Sequence, residues 1–186
     1  MLFLARLHPK KGVEHLIRAM ATTPECANSH LVIAGQGEHA YTKVLTDLAI
    51  ELKVQDRCHF IGFVGGSEKN TVLLGADLYC LPSSNENFGI SVLEALNAGC
   101  PVVLSSEVAL AQAVQSNQLG LIVEVTKLSS KLGAAVAQLL QSPRELQSVG
   151  HRARQHVLSH YSWNETAKQL TGAYTKLLAS DGTLDS

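Results

Sequence analysis

Short, largely apolar runs alternate with helix-patterned segments along most of the chain, and this alternation constrains the fold more than any other feature. Runs at 2–5, 31–34, 58–63, 77–81, 101–104 and 120–123 have the length and composition of strands. They are apolar at successive rather than alternate positions, which predicts strands covered on both faces. Between them the periodicity turns helical. Val13, Leu16, Ile17 and Met20 share one helix face, as do Leu45, Leu48, Ala49 and Leu52. A short helix around 69–74 precedes the fourth strand, and 88–98 reads as a helix closed by Gly99 at its C-terminal cap. From 129 onward the pattern is almost all helical, with segments at 132–140 and 144–158 separated by Pro143 and a last one capped by Ser162 and ending near Leu178. Such alternation implies parallel strands with helices on both sides. The expectation is an α/β fold, a doubly wound, mostly parallel six-stranded sheet over 1–128 with a helical tail over 129–186, one domain of 186 residues.

Composition removes several classes of function. The chain carries 15 basic and 16 acidic residues, a net charge of −1, and only 5% aromatic residues, so nucleic acid is not an expected partner. No apolar run approaches the roughly 18 residues of a membrane span, and Arg6 interrupts the N-terminus too early for a signal peptide. Cys26, Cys58, Cys80 and Cys100 are widely spaced with no C-x-x-C, as expected of small buried thiols in a reduced, cytoplasmic protein. His156 and His160 have the i,i+4 spacing of metal ligands but no evident third ligand, so no metal site is expected there.

In doubly wound sheets, ligands bind beyond the carboxyl ends of the strands, which directs attention to three strand-to-helix loops. In the first, Arg6 leaves strand one and Lys11-Gly12 enters the following helix. Cations at a helix N-terminus oppose its dipole, so a phosphate or diphosphate between them would satisfy both charges and the free N–H groups. The alternative is a solvated basic turn. The second loop, Gly35-Gln36-Gly37-Glu38-His39-Ala40, matches G-x-G-x-x-A after a strand. A dinucleotide site also needs an acidic residue at the end of the next strand, where Phe63 and Val64 stand instead. The third loop runs from Pro82 to the helix containing Glu94, with Glu86 before it and Phe88-Gly89-Ile90 at the helix start. Glu94 is the only charged residue between Asn87 and Ser106 and is expected to be largely buried, where it would accept hydrogen bonds from a ligand diol such as ribose. Two carboxylates also suit a glycosidase pair, which leaves the basic first loop unexplained.

Taken in order, Leu2-Phe3-Leu4-Ala5-Arg6-Leu7 with Lys11-Gly12, Ala34-Gly35-Gln36-Gly37, Phe60-Ile61-Gly62-Phe63-Val64, Ala76-Asp77-Leu78, Leu81-Pro82-Ser83 and Tyr161-Ser162-Trp163 resemble retaining glycosyltransferases of family 4. Glu86-Asn87-Phe88-Gly89 with Glu94-Ala95-Leu96-Asn97-Ala98-Gly99 matches that family's E-x7-E signature. The resemblance covers nearly the whole chain and implies the carboxyl-terminal, Rossmann-like half of a GT-B fold. It implies a domain that binds a nucleotide diphosphate sugar, with Arg6 and Lys11 on the diphosphate and no metal or other cofactor. Glu94 would hold the ribose hydroxyls and Glu86 the donor sugar. Phe88, Gly89 and Ile90 would face sugar and phosphate, Gly35 and Gly37 would belong to the donor site, and Phe63 and Val64 would line the base pocket. Glu86, Arg6 and Lys11 are the implied catalytic set.

Val108-Ala109 stands where the family usually has Gly-Gly, and Gln112 where it has Glu. The family's amino-terminal acceptor domain has no counterpart here, so the isolated chain is expected to bind nucleotide weakly and transfer little. The remaining readings are a noncatalytic nucleotide-sugar binding or assembly module and half of a GT-B epimerase or phosphorylase. The expected location is cytoplasmic, free or peripheral at the inner membrane face.

Overall fold

The computed structural model describes residues 1–181. Six strands, β1 (Leu2–Leu4), β2 (Leu31–Ala34), β3 (Cys58–Gly62), β4 (Tyr79–Leu81), β5 (Val102–Ser105) and β6 (Gly120–Val123), form one sheet. All its pairings are parallel, in the order β3-β2-β1-β4-β5-β6. The helices are α1 (Val13–Thr22), α2 (His39–Glu51), α3 (Gly66–Leu74), α4 (Ile90–Asn97), α5 (Ala111–Ser116), α6 (Leu128–Leu140), α7 (Pro143–His160) and α8 (Trp163–Asp181). This is the doubly wound α/β architecture that the alternation implies.

The central strands β1, β4 and β5 are buried at every position, because helices cover both faces of the sheet. The edge strand β3 departs from the expectation of two covered faces. His59 is exposed and Ile61 is 42% exposed, since an edge has a neighbour on one side only. Helix α1 turns Val13, Leu16, Ile17 and Met20 into the core and packs against α2 and α6, while α4 packs against α3 and α7. All four cysteines are buried and free.

Several boundaries differ from those read in the sequence: β4 begins at Tyr79 rather than Asp77, α3 at Gly66 rather than Lys69, and the ends of β1, β3, β5 and α7 shift by one or two residues. Helix α4 begins at Ile90 rather than Phe88, because Gly89 takes a left-handed conformation that starts the helix. Helix α6 begins at Leu128, whose buried side chain anchors a first turn that Ser129 and Ser130 had concealed. Helix α5, absent from the sequence reading, has six residues and buries only Ala111 and Val114, too few to make a stripe. The tail helix α8 extends to Asp181, three residues past the expected end.

Candidate functional site

Strands β1 and β4 lie side by side at the middle of the sheet, where the winding reverses and a crevice opens beyond the strand ends. The loops leaving these strands are bound to each other there. Ser84 N–H donates to the Lys10 carbonyl at 2.7 Å, and Ser83 Oγ donates to the same oxygen at 2.9 Å. Lys11 Nζ forms an ion pair with Glu86 Oε2, each side chain only 19% exposed. Gly12 permits this approach: it has φ +70°, and a Cβ there would stand 2.3 Å from the Pro82 carbonyl oxygen. Underneath, the buried Tyr79 hydroxyl donates to the Leu4 carbonyl at 3.3 Å and shares a 2.7 Å hydrogen bond with Ser91 Oγ. Burial holds the Tyr79 phenol far above its ordinary pKa, the Ser91 hydrogen bond opposes this, and the nearby charges of Glu86 and Glu94 add to it. Tyr79 is thus a neutral strut joining β1, β4 and α4.

Helices α1 and α4 both start from left-handed glycines, Gly12 and Gly89, and neither has a side-chain cap. In these first turns His15 and Val92 N–H donate to the Gly12 and Gly89 carbonyls at 3.0 and 2.8 Å, while the N–H groups of Val13, Glu14, Ile90 and Ser91 have no acceptor among the described residues, an arrangement that suits an anion in the crevice. Phe88 and Ile90 flank Gly89 as exposed side chains. Glu86 is also held by its backbone: its N–H donates to the Glu107 carbonyl, and its carbonyl accepts from Ala109 N–H, both at 3.0 Å. The Val108-Ala109 segment therefore aligns Glu86, and the buried Val108 side chain packs beside Gly89.

Next to this seam lies a cavity of about 440 Å³ whose lining includes Arg6, Gly35, Phe63, Val64, Lys69 and Glu94. Arg6 is exposed and makes no ion pair among the described residues. Phe63, 69% exposed, and Val64 provide an apolar wall. The close approach made possible by Gly35 and Gly37 is to protein backbone: their Cβ atoms would fall 1.9 Å from the Ala5 oxygen and 2.2 Å from the Leu7 oxygen. Gly35 also lines the cavity, whereas Gly37 serves the Leu7–Gly37 bridge behind it.

Glu94 corrects one expectation. Its side chain is 31% exposed rather than largely buried, because it turns from the apolar face of α4 toward the cavity. It also has a partner that sequence reasoning missed, Lys69 on α3, whose Nζ lies 2.6 Å from Glu94 Oε1. Lys69 is the fourth residue of its helix, so the argument applied to Lys11, a cation near a helix start beyond the strand ends, would have singled it out. Lys11 likewise has its counter-charge within the protein, in Glu86. Two neutral lysine–glutamate pairs and one unpaired arginine leave the site net positive, fitted to an anionic ligand that also carries hydroxyls and a flat apolar group.

His156 and His160, outside this site, stack at 4.3 Å, and among the described residues no group of three or more His, Cys, Asp or Glu is placed to hold a metal ion. No helix among the described residues is long and apolar enough to cross a membrane.

The family model for glycosyl transferases group 1 matches residues 1–156. An uncharacterized glycosyltransferase of Methanocaldococcus jannaschii is 36% identical over 174 residues, covering 94% of this chain and 44% of that protein. Sucrose-phosphate synthase from Thermosynechococcus elongatus superposes with a TM-score of 0.84 at 27% identity, over 96% of this chain and 45% of its own. The Anabaena protein HepE, solved in complex with UDP, has the same fold, with a TM-score of 0.84 at 21% identity over 94% of this chain and 48% of its own. The chain spans less than half the length of each of these relatives.

Proposed function

The chain belongs to the group 1 glycosyl transferases, and from that premise we propose that it is the donor-binding half of a retaining, family 4-type enzyme that moves a sugar from a nucleotide diphosphate sugar to an acceptor. The observation that carries this reading is the cavity at the winding reversal, where Arg6, Glu94 and the Phe63–Val64 wall converge. The UDP bound to HepE is support of the same kind, on a related fold.

In this reading the base lies against Phe63 and Val64, and Glu94 accepts from the ribose hydroxyls. The diphosphate spans Arg6, Lys11 and the open N–H groups of α1 and α4. Breaking the bond from the anomeric carbon to the diphosphate leaves negative charge on phosphate oxygen, which these cations and dipoles stabilise without a metal ion. Lys11 has three N–H donors, so it can hold a phosphate oxygen and keep Glu86 in place for the donor sugar. Val108, filling the space beside Gly89, bounds the sugar side. The acceptor is held by a part of the full-length protein outside this chain.

Titrating the chain with UDP, GDP and ADP by NMR tests the assignment. At least one should shift resonances around Lys11 and Glu94, and Glu94→Ala should weaken binding about tenfold or more, as loss of a hydrogen bond to a charged group does. If no nucleotide perturbs these residues, the donor-site reading is wrong.

A further inference from the structure

Lys69 lies on α3 and Glu94 on α4, two helices packed against each other that both start beyond the carboxyl ends of strands. The lysine reaches only one carboxylate oxygen: Nζ stands 2.6 Å from Oε1, and Oε2 has no hydrogen bond among the described residues. Both side chains line the same cavity and are about one-third exposed, 33% and 31%. An ion pair this exposed contributes little to folding, and a cation in the first turns of α3 works against the helix dipole. Its position therefore points to the ligand rather than to the scaffold.

We propose that Lys69 is a positioning residue that grips one oxygen of Glu94 and so presents the other to the ribose diol of the nucleoside diphosphate. The inference rests on the donor-site reading and adds to it a source of sugar selectivity. A glutamate has three rotatable side-chain torsions, and anchoring one oxygen removes most of that freedom before the ligand arrives. The anchor also cancels a charge. Without Lys69, Glu94 would set an uncompensated carboxylate in a cavity that must take in a diphosphate, and like charges there repel. Lys69 thus does for Glu94 what Lys11 does for Glu86, and Arg6 keeps its charge free for the phosphates.

Calorimetric titration of the full chain tests this, first with UDP, GDP and ADP and then with the 2′-deoxy form of whichever binds. The native chain should prefer the ribonucleotide about tenfold, the worth of one charge-assisted hydrogen bond. Lys69→Met should collapse that preference toward unity, and Lys69→Arg should restore it. Lys69→Gln gives the same readout should Lys69→Met lower the melting temperature. A Lys69→Met chain that keeps the native ribose preference, or a Lys69→Arg chain that fails to regain it, overturns the proposal. If Glu94→Ala weakens binding about tenfold or more in that case, the donor site stands and only the role of Lys69 is lost. Failure of all three nucleotides to bind the native chain refutes the donor-site reading, and the present inference with it.

Discussion

Replacing Gly12 with alanine puts the approach of the β1 and β4 loops to a direct test. The residue has φ +70° and ψ 30°, a left-handed conformation that costs an L side chain about 1–2 kcal/mol. The new Cβ would also stand 2.3 Å from the Pro82 carbonyl oxygen; that oxygen is backbone and the Cβ position is set by the backbone, so neither can rotate away. Relief requires the loops to separate, which strains the Ser84 N–H and Ser83 Oγ hydrogen bonds to the Lys10 carbonyl. Each such bond contributes about 1 kcal/mol net. Partial relaxation leaves an expected loss of about 2–4 kcal/mol, or roughly 4–16 °C in melting temperature for a chain of this size. Urea denaturation of Gly12→Ala measures it, with Gly172→Ala as control. Gly172 lies in α8 with nothing within 4 Å of an added Cβ, so alanine there should stabilise the helix by about 0.5–1 kcal/mol. A Gly12→Ala protein within 0.5 kcal/mol or so of the native chain would show that the tight loop contact is not what holds the seam.

Two further outcomes follow from the same geometry. A double-mutant cycle of Lys11→Met and Glu86→Gln should give a coupling of about 1 kcal/mol in urea unfolding, and a coupling near zero would remove the pair from any account of loop order. Burial raises the Cys80 and Cys100 thiols from 9.0 to about 12, and Cys58 to about 11. The native state therefore favours the protonated thiol, and this stabilisation is complete below pH 9 and lost as pH rises toward 12. The urea midpoint should fall across that window, and thiol labelling at pH 8 should proceed only as fast as the protein opens; rapid labelling of the folded chain would contradict the burial.

Interior strands were legible because burial on two faces leaves uninterrupted apolar runs, and β2 (Leu31–Ala34) falls where such a run falls; the edge strand β6 (Gly120–Val123), half-buried at three of its four positions, was legible from its apolar composition alone. Strand order was not, because an apolar run reports coverage and not the identity of its neighbours. The same gap explains what was missed at the site. Arg6, Glu86 and Glu94 stand out locally, as charges in loops or on an otherwise apolar helix. That Lys11 meets Glu86 depends on β1 lying next to β4, and that Lys69 meets Glu94 depends on α3 packing against α4. Helix α5 left no periodic trace because six residues bury too few side chains to repeat.

The pairing at the winding reversal has a kinetic side. Strand β1 finds β2 through the register Leu2–Val32 but reaches β4 only through Leu2–Tyr79, closing a loop more than twice as long. Each doubling of loop length costs about 0.6 kcal/mol of chain entropy, so the β1–β4 closure is the costlier of the two for the disordered chain to make. That same closure brings Lys11 to Glu86 and Lys10 to Ser83 and Ser84. The cavity wall from Leu4 to Lys69 belongs to the first half of the sheet and Glu94 to the second, so the crevice is completed only when the halves join, and a molecule bound there acts as a staple across the join.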